Sequence, residues 1–284
     1  LVIDCDGDYD HITDIMNANP VLQGYKYIAA SSSSSCISGT DEKEHRGVKG
    51  QHLYFHILDA TDIPRTLKLM HDRLILAGLG QHKISANGRF LERTSVDQAL
   101  RVPSQPIYIH ASLSDGLVQD KQVTLHPGVE VLDSRRVLMN LSALERAVLV
   151  EKLRASREQL KPKCEAVEER WVDGRVDDAV RLGARPDDAR RQVMATLAGG
   201  DLYPTSVVCV GGVDVSVADI LSNPSAYHNK ACRDPLEPDY GSTSAAKIYT
   251  MQHQPVIHSY AHGHSKIYKL NALHEGQKHK GVFQ

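Results

Sequence analysis

The chain opens with Leu1-Val2-Ile3-Asp4-Cys5-Asp6-Gly7-Asp8, an apolar run that leads into two carboxylates separated by one residue. Side chains on a β-strand alternate between its two faces, so Asp4 and Asp6 would point the same way. Two carboxylates held side by side repel each other unless a cation lies between them, and oxygen ligands suit Mg²⁺ or Mn²⁺. Taken alone, the stretch favours a strand that runs into a solvated Asp/Gly turn, with a strand that carries a metal site as the alternative, and the motifs that follow shift the balance toward the metal site.

The composition is that of an ordinary globular protein. The chain has 284 residues, of which 41% are hydrophobic and 24% charged, and this length allows two domains. A formal net charge of -2 is low for a protein that coats nucleic acid, so we expect any such contact to be confined to a local groove. No apolar run is long enough to span a bilayer, and the scattered cysteines form no Cys-x-x-Cys pair. A reducing cytoplasm, without a membrane partner, is expected.

A histidine follows on another predicted strand. Residues 25–30 read as one strand, and residues 50–57 alternate between polar and apolar side chains as a second strand would. His52, Tyr54 and His56 share one face of this second strand. A lone histidine on a strand is more often structural, but we expect this face to look into the same site as Asp4 and Asp6.

A run of serines, residues 31–35, lies between these two strands. Low-complexity runs of this kind are usually flexible linkers. The position between two predicted strands favours another interpretation, a loop rich in hydroxyl and amide groups that binds phosphate.

A locally basic segment lies further along the near-neutral chain. Asn87-Gly88 is a strong signal for a hairpin turn, and Lys83, Arg89 and Arg93 flank it. The segment is either a solvated hairpin or a clamp for triphosphate or for a nucleic-acid backbone.

Three short motifs occur in order along the chain: Asp4-Cys5-Asp6 at a strand end, Gly50-Gln51-His52, and Val96-Asp97. In this order and spacing they resemble the three motifs of the archaeo-eukaryotic primase superfamily, and the surrounding residues resemble primase-polymerases of phages and integrated mobile elements. The resemblance covers residues 1–115 as the catalytic core. Residues 234–241 and 255–264 resemble the region that follows the primase domain in replication proteins of this type.

The resemblance implies a nucleotidyltransferase. Such enzymes add NTPs or dNTPs to a 3′-hydroxyl on a single-stranded DNA template, with two Mg²⁺ or Mn²⁺ ions ~3.5–4 Å apart that activate the nucleophile and neutralise the leaving pyrophosphate. It assigns catalysis and metal binding to Asp4, Asp6 and Asp97, and contact with the incoming triphosphate to His52.

The serine run resembles the phosphate-contacting loop of the same family. The further candidates for binding the nucleotide are Ser33, Ser34, Ser35, Lys83, Arg89 and Arg93. The sequence does not separate the three serines. Family members usually carry an α/β module before the first motif, so we expect this chain to be part of a longer protein.

The pattern changes beyond the core. Ser142-x-x-Glu145 is a capping box that predicts a helix to about residue 170, and a second helix is predicted from residue 185 to Gly199-Gly200. Residues 206–217 read as a β-hairpin around Gly211-Gly212. We predict an α/β (α+β) protein with an RRM-like primase-polymerase core on a mixed sheet over residues 1–115, a helical connector over 116–200 and a small α+β accessory domain over 201–284.

Other functions fit part of the same pattern. A metal-dependent nuclease also uses clustered acids, and a non-catalytic replication-initiation module would bind DNA without a metal. No Walker-type phosphate loop is present, so this chain holds no P-loop ATPase. The resemblance implies a replicative helicase, in cis or in trans, as a partner in the bacterial or phage-infected host cell. His258, His262 and His264 lack a Cys or carboxylate at zinc spacing, and we expect a structural role for them.

Overall fold

A computed structural model describes most of the chain, as two compact units. The described residues are 1–6, 11–41, 44–103, 105–239, 244–261 and 265–272, with the backbone alone for Asp6 and residues 44–46. The first unit comprises Leu1–Lys83 and Leu91–Gln159, and the second comprises Ile84–Phe90 and Leu160–Gln284.

The first unit is built from short strands and a few helices. Its elements, with the β6–β7 hairpin whose tip belongs to the second unit, are β1 (Val2–Asp6), α1 (His11–Ala18), β2 (Tyr27–Ser31), β3 (Ile37–Gly39), β4 (Glu44–Arg46), β5 (Gly50–Phe55), α2 (Ile63–Leu76), β6 (Gln81–Ile84), β7 (Phe90–Arg93), β8 (Leu117–Gln119), β9 (Val123–His126) and α3 (Ser134–Val137). A four-stranded sheet has the order β1-β5-β2-β9, and a three-stranded sheet has the order β4-β3-β8.

The four-stranded sheet carries the core of the first unit on one face. Alternate residues of its strands are buried there together with the apolar stripe of α2, whose Leu67, Met70 and Leu74 are fully buried. The buried strand residues are Ile3, Cys5, Tyr27, Ala29, Leu53 and Phe55. Because side chains alternate along a strand, Asp4 and His52 are turned to the opposite face.

The sequence Asp62-Ile63-Pro64 is typical of a capped helix start, but the side chain of Asp62 does not cap helix α2. The side chain of Asp62 makes no capping hydrogen bond, because Asp59 already caps the preceding 3₁₀ turn by accepting from the backbone of Thr61. The carboxylate of Asp62 instead receives a two-pronged bond from Arg65, from Nε at 2.7 Å and from Nη2 at 2.6 Å. The hydroxyl of Ser134 also donates to it at 2.5 Å. The Arg65 bond holds the pKa of Asp62 well below its usual range.

The second unit combines helices with a seven-stranded sheet. Its elements include the C-terminal part of α4 (Ala143–Arg181), then α5 (Pro186–Gly199), β10 (Asp201–Leu202), β11 (Val207–Val210), β12 (Val213–Ser216), α6 (Val217–Ser222), α7 (Pro224–Tyr227), β13 (Ala231–Cys232), β14 (Ala246–Tyr249), β15 (Val256–Ser259) and β16 (Lys266–Leu270). The sheet order is β10-β16-β15-β14-β13-β11-β12, with β10 and β16 parallel and the other pairs antiparallel.

The buried carboxylate of Asp234 accepts hydrogen bonds from two neighbouring strands of this second sheet, β15 and β16. Asp234 accepts hydrogen bonds from the backbone of Leu236 and Glu237, both at 2.8 Å, and from the hydroxyl of Ser259 at 2.5 Å. The phenol of Tyr268 donates to it at 3.1 Å. Burial first, and then the charge of Asp234, raises the pKa of Tyr268, so this phenol stays a donor.

The mixed α/β fold class is confirmed, with differences in detail. The four-stranded sheet is antiparallel throughout, and the mixed sheet lies in the second unit. The predicted core boundary at residue 115 falls before β9, which completes the first sheet, so the first unit continues to residue 159. Residues 160–200, predicted as part of a separate connector, group with the C-terminal region in the second unit.

Most of the predicted local elements are present. The Ser142/Glu145 capping box forms, with the backbone of Ser142 donating to Glu145 at 2.6 Å, and α5 and the hairpin around Gly211-Gly212 occur as expected. Helix α4 is longer than predicted and continues through Pro162 to Arg181. None of the described helices is both long and apolar enough to cross a membrane, since α4 has the length but is rich in charged residues.

Removing Arg65 tests the buried ion pair. We expect Arg65→Ala to lower the free energy of unfolding at pH 7 by about 3–5 kcal/mol, because the Asp62 carboxylate stays buried without its partner. The lowered pKa of Asp62 means that its contribution is present above its ordinary value of 3.8 and is lost as the pH falls toward the folded-state value. Urea unfolding at pH 7 and at about pH 3 should therefore show a smaller difference between the two proteins in acid.

The matched control is Arg154→Ala. Arg154 forms a pair of the same i,i+3 spacing with Glu151 at 3.7 Å, but both side chains are exposed. An exposed pair contributes about 0–1 kcal/mol, so this variant should unfold almost like the parent protein. Equal losses in the two variants would contradict the special role of the buried pair.

Gly88 gives a second test of the fold. It has a φ of +81°, and a Cβ atom there would lie 2.6 Å from Cβ of Glu168 and 2.7 Å from the carbonyl oxygen of Cys164. We expect Gly88→Ala to cost about 2–4 kcal/mol through backbone strain and overlap with α4. Gly183→Ala, at a φ of +91° with nothing within 4 Å, carries the strain alone and should cost about 1–2 kcal/mol. Thermal unfolding compares them, and equal costs would contradict the close packing of the turn on α4.

Candidate active site

The three sequence motifs meet at one end of strand β1. In the antiparallel pairing of β1 with β5, Asp4 is directly opposite His52 and Asp6 is opposite Gly50. The backbone N–H of Asp97 donates to the carbonyl of Asp4 at 3.2 Å, which brings the third motif to the same strand. The expectation that His52 shares a face with Asp4 is confirmed.

Asp4 and His52 are in close contact. Oδ1 of Asp4 lies 3.2 Å from Nε2 of His52, and the His52 side chain is only 4% exposed. The contact is within ion-pair distance but lacks hydrogen-bond geometry, and this buried carboxylate oxygen has no hydrogen-bond partner. A buried acceptor without a donor is costly, so the oxygen is suited to receive a cation or a donor from a ligand.

Tyr54 extends this contact along β5. Its hydroxyl lies 3.2 Å from Nδ1 of His52, and the two rings meet edge to face with centroids 6.1 Å apart. Burial first, and then the negative charge of Asp4, raises the pKa of Tyr54. Asp4, His52 and Tyr54 therefore form a continuous polar chain on the face of the sheet opposite the core; we call it the Asp4 chain.

Asp97 is held next to this chain by its own turn. Its Oδ1 accepts from the backbone N–H of Ala99 at 2.9 Å and so caps the 3₁₀ helix Gln98–Arg101. Among the side chains that the structure describes, no group of three His, Cys, Asp or Glu residues is placed to hold a metal ion. The carboxylate of Asp6 lies outside that set, and metal binding by Asp4, Asp6 and Asp97 stays a prediction.

The serine run is a hydrogen-bonded loop attached to the start of β5. The buried hydroxyl of Ser35 accepts from the backbone of Lys49 at 2.9 Å and of Gly50 at 3.0 Å, and donates to the carbonyl of Gly50 at 2.9 Å. Gln119 of β8 donates to the carbonyls of Ser33 at 3.0 Å and Ser35 at 2.8 Å. The hydroxyl of Ser35 thus has a structural role, and phosphate contact by Ser33 or Ser35 stays a prediction.

The basic candidates lie on or near the β6–β7 hairpin. Lys83 is exposed on β6, and Arg93 is half-buried on β7. Arg89 belongs to the second unit, where its Nη2 donates to the carbonyl of Leu197 at 2.5 Å, in the last turn of α5. A cation at that end satisfies carbonyls that the helix leaves unpaired. Nucleotide binding by Lys83, Arg89 and Arg93 stays a prediction.

Two histidines that the sequence analysis missed hold the segment before Asp97. Nδ1 of His11, the first residue of α1, lies 2.9 Å from the hydroxyl of Ser95. Nδ1 of His71 lies 3.0 Å from the hydroxyl of Thr94, which also accepts from the backbone of Val96 at 3.1 Å. Burial is the main cause that lowers the pKa of His71. The only available signal for His11 was its position just after the first acidic motif. His262 and His264, for which the sequence predicts a structural role, lie outside the described residues.

Comparison of the chain with protein-family models, with curated protein sequences and with solved structures found no match in any of the three. The function therefore has to be argued from the geometry of the site itself.

Replacing Ser35 tests the structure of the serine loop. We expect Ser35→Ala to lower the free energy of unfolding by about 1–3 kcal/mol, because the backbone N–H groups of Lys49 and Gly50 lose their shared acceptor. Ser33→Ala, in the same loop, keeps this bridge and should change stability by at most about 0.5 kcal/mol. Urea unfolding measures both, and a Ser35→Ala protein as stable as the parent would contradict the bridge.

Proposed function

We propose that the first unit is the catalytic core of a primase-polymerase, which transfers nucleotides from NTPs or dNTPs to a 3′-hydroxyl on a single-stranded DNA template. The observation that carries the proposal is the convergence of three motifs that are far apart in the sequence. In the β1–β5 ladder Asp4 is opposite His52 and Asp6 is opposite Gly50. The backbone N–H of Asp97 donates a hydrogen bond to the carbonyl of Asp4. Packing of a core requires no such meeting of polar motifs on the opposite face of the sheet.

The residues at this site fit a hard divalent cation. Asp4, Asp6 and Asp97 supply carboxylate oxygens, the ligands that Mg²⁺ and Mn²⁺ prefer. The buried Oδ1 of Asp4, which has no hydrogen-bond partner, gives an independent reason to expect a positive charge there. When bound, such ions activate the attacking hydroxyl and neutralise the leaving pyrophosphate.

His52 is suited to bind the incoming triphosphate. It is buried and directly opposite Asp4, so its ring is held in one place beside the carboxylates. A donor nitrogen fixed in a poorly hydrated site binds phosphate oxygens more strongly than one in water. The serine loop joins the same strand through Gly50, which supports a phosphate-binding role for the loop backbone.

The wider role follows from the same proposal. A chain with net charge -2 would hold the DNA template in a local groove. It would act in DNA replication in the cytoplasm of a bacterial or phage-infected cell. A replicative helicase, in cis or in trans, would supply the single-stranded template. Lys83 and Arg93, both in the first unit, would contribute to binding nucleotide or template.

Nucleotide incorporation tests the proposal directly. The purified chain is incubated with single-stranded DNA, with and without a primer, labelled dNTPs or NTPs, and Mg²⁺ or Mn²⁺. We expect metal-dependent products that lengthen, and we expect Asp4→Asn and Asp6→Asn each to reduce incorporation at least about 100-fold while the protein stays folded. These substitutions keep the shape of the side chain and remove its charge.

Asp115→Asn is the matched control, since Asp115 is exposed in the first unit and belongs to none of the three motifs. It should leave incorporation unchanged. Full nucleotide incorporation by Asp6→Asn would contradict the proposed mechanism. Shortened DNA without added nucleotide would indicate a metal-dependent nuclease, and DNA binding that needs no metal and yields no product would indicate a non-catalytic replication-initiation module.

A further inference from the structure

We propose that Tyr54 is a positioning residue. Its hydroxyl donates a hydrogen bond to Nδ1 of His52 and thereby holds His52 in the tautomer that carries its ring proton on Nε2. The consequence for the reaction, a donor aimed at the incoming triphosphate, rests on the proposed function. The assignment of the proton itself rests only on the Asp4 chain.

The geometry of β5 brings the two side chains together. His52 and Tyr54 are two residues apart on one strand and therefore share a face. The hydroxyl of Tyr54 is 3.2 Å from Nδ1, and the rings meet at 79° with their centroids 6.1 Å apart. His52 is 3% exposed, so a ring nitrogen that has no partner in the protein or in a ligand would be costly.

The partners at the two ends of the imidazole select one tautomer. At Nε2 the neighbour is Oδ1 of Asp4, 3.2 Å away, and an ionised carboxylate can only accept. At Nδ1 the neighbour is a phenol, which carries its proton near neutral pH and can donate. With the proton on Nδ1 instead, an unprotonated Nε2, which carries a partial negative charge, would lie 3.2 Å from the carboxylate oxygen, and this is electrostatically unfavourable even without hydrogen-bond alignment. Both ends therefore favour an unprotonated Nδ1 and a protonated Nε2.

Fixing the proton also fixes what His52 offers to a ligand. Nε2 is the nitrogen on the side of Asp4, where the proposed nucleotide would bind, and a phosphate oxygen accepts hydrogen bonds but does not donate them. A ring free to exchange tautomers would present a lone pair to the phosphate for part of the time. Tyr54 would thus act on nucleotide binding through His52, without being a catalytic residue.

Ring nitrogen NMR tests the proton assignment independently of any activity. Long-range ¹H–¹⁵N spectra of the ¹⁵N-labelled full chain are recorded at about pH 8, above the ordinary pKa of histidine. The signals that disappear in His52→Gln identify His52 among the 15 histidines. We expect an unprotonated, hydrogen-bonded Nδ1 and a protonated Nε2 in the parent protein, and a displaced Nδ1 signal in Tyr54→Phe. The control is Tyr108→Phe, which removes an exposed hydroxyl from the same unit and should leave the His52 signals in place.

A protonated Nδ1 in the parent protein, or an Nδ1 signal that does not move in Tyr54→Phe, would overturn the proposal. The kinetic consequence is read in the incorporation assay, where Tyr54→Phe should raise the KM for the nucleotide about tenfold with kcat changed less than about threefold. An unchanged KM would overturn the role in nucleotide binding. A parent protein without nucleotidyl transfer would refute the proposed function, and the NMR result would still decide whether Tyr54 positions His52.

Discussion

The antiparallel pairing of β1 with β5 is the constraint on which the candidate site depends. Its register places Asp4 opposite His52 and Asp6 opposite Gly50, and the same ladder turns Ile3, Cys5 and Leu53 into the core. The polar face is therefore held by the burial of the apolar face behind it. A site built on paired strands in this way is more rigid than one carried by loops, because the core behind the strands fixes the position of each Cα atom.

The sequence predicted those parts of the structure that follow from short-range patterns. Alternation along β5 predicted that His52 and Tyr54 share a face, and the Asn87-Gly88 and Gly211-Gly212 pairs located two turns. Leu67, Met70 and Leu74 recur at helical spacing in the sequence, and they form the buried stripe of α2. In each of these cases the signal lies within a few residues of the feature that it predicts.

The parts that could not be predicted depend on residues far apart in the chain. Strand β9 is short and largely exposed, so its sequence shows no buried face, and only its pairing with β2 makes it a strand. The role of Asp62 depends on the neighbouring Arg65 and on Ser134, which is distant in sequence. The inward hydroxyl of Ser35 depends on Gly50. A local pattern for capping or for low complexity carries no information about such partners.

Strand β1 encodes the site and the core on alternate residues, and this has a consequence for how the protein can change over generations. An insertion or deletion of one residue within β1 would exchange the two faces, sending Asp4 into the apolar interior and Ile3 to the polar side. Both the fold and the site would be lost together. Inherited length changes should therefore be excluded from this strand, while single substitutions on its polar face can alter the chemistry and leave the fold intact.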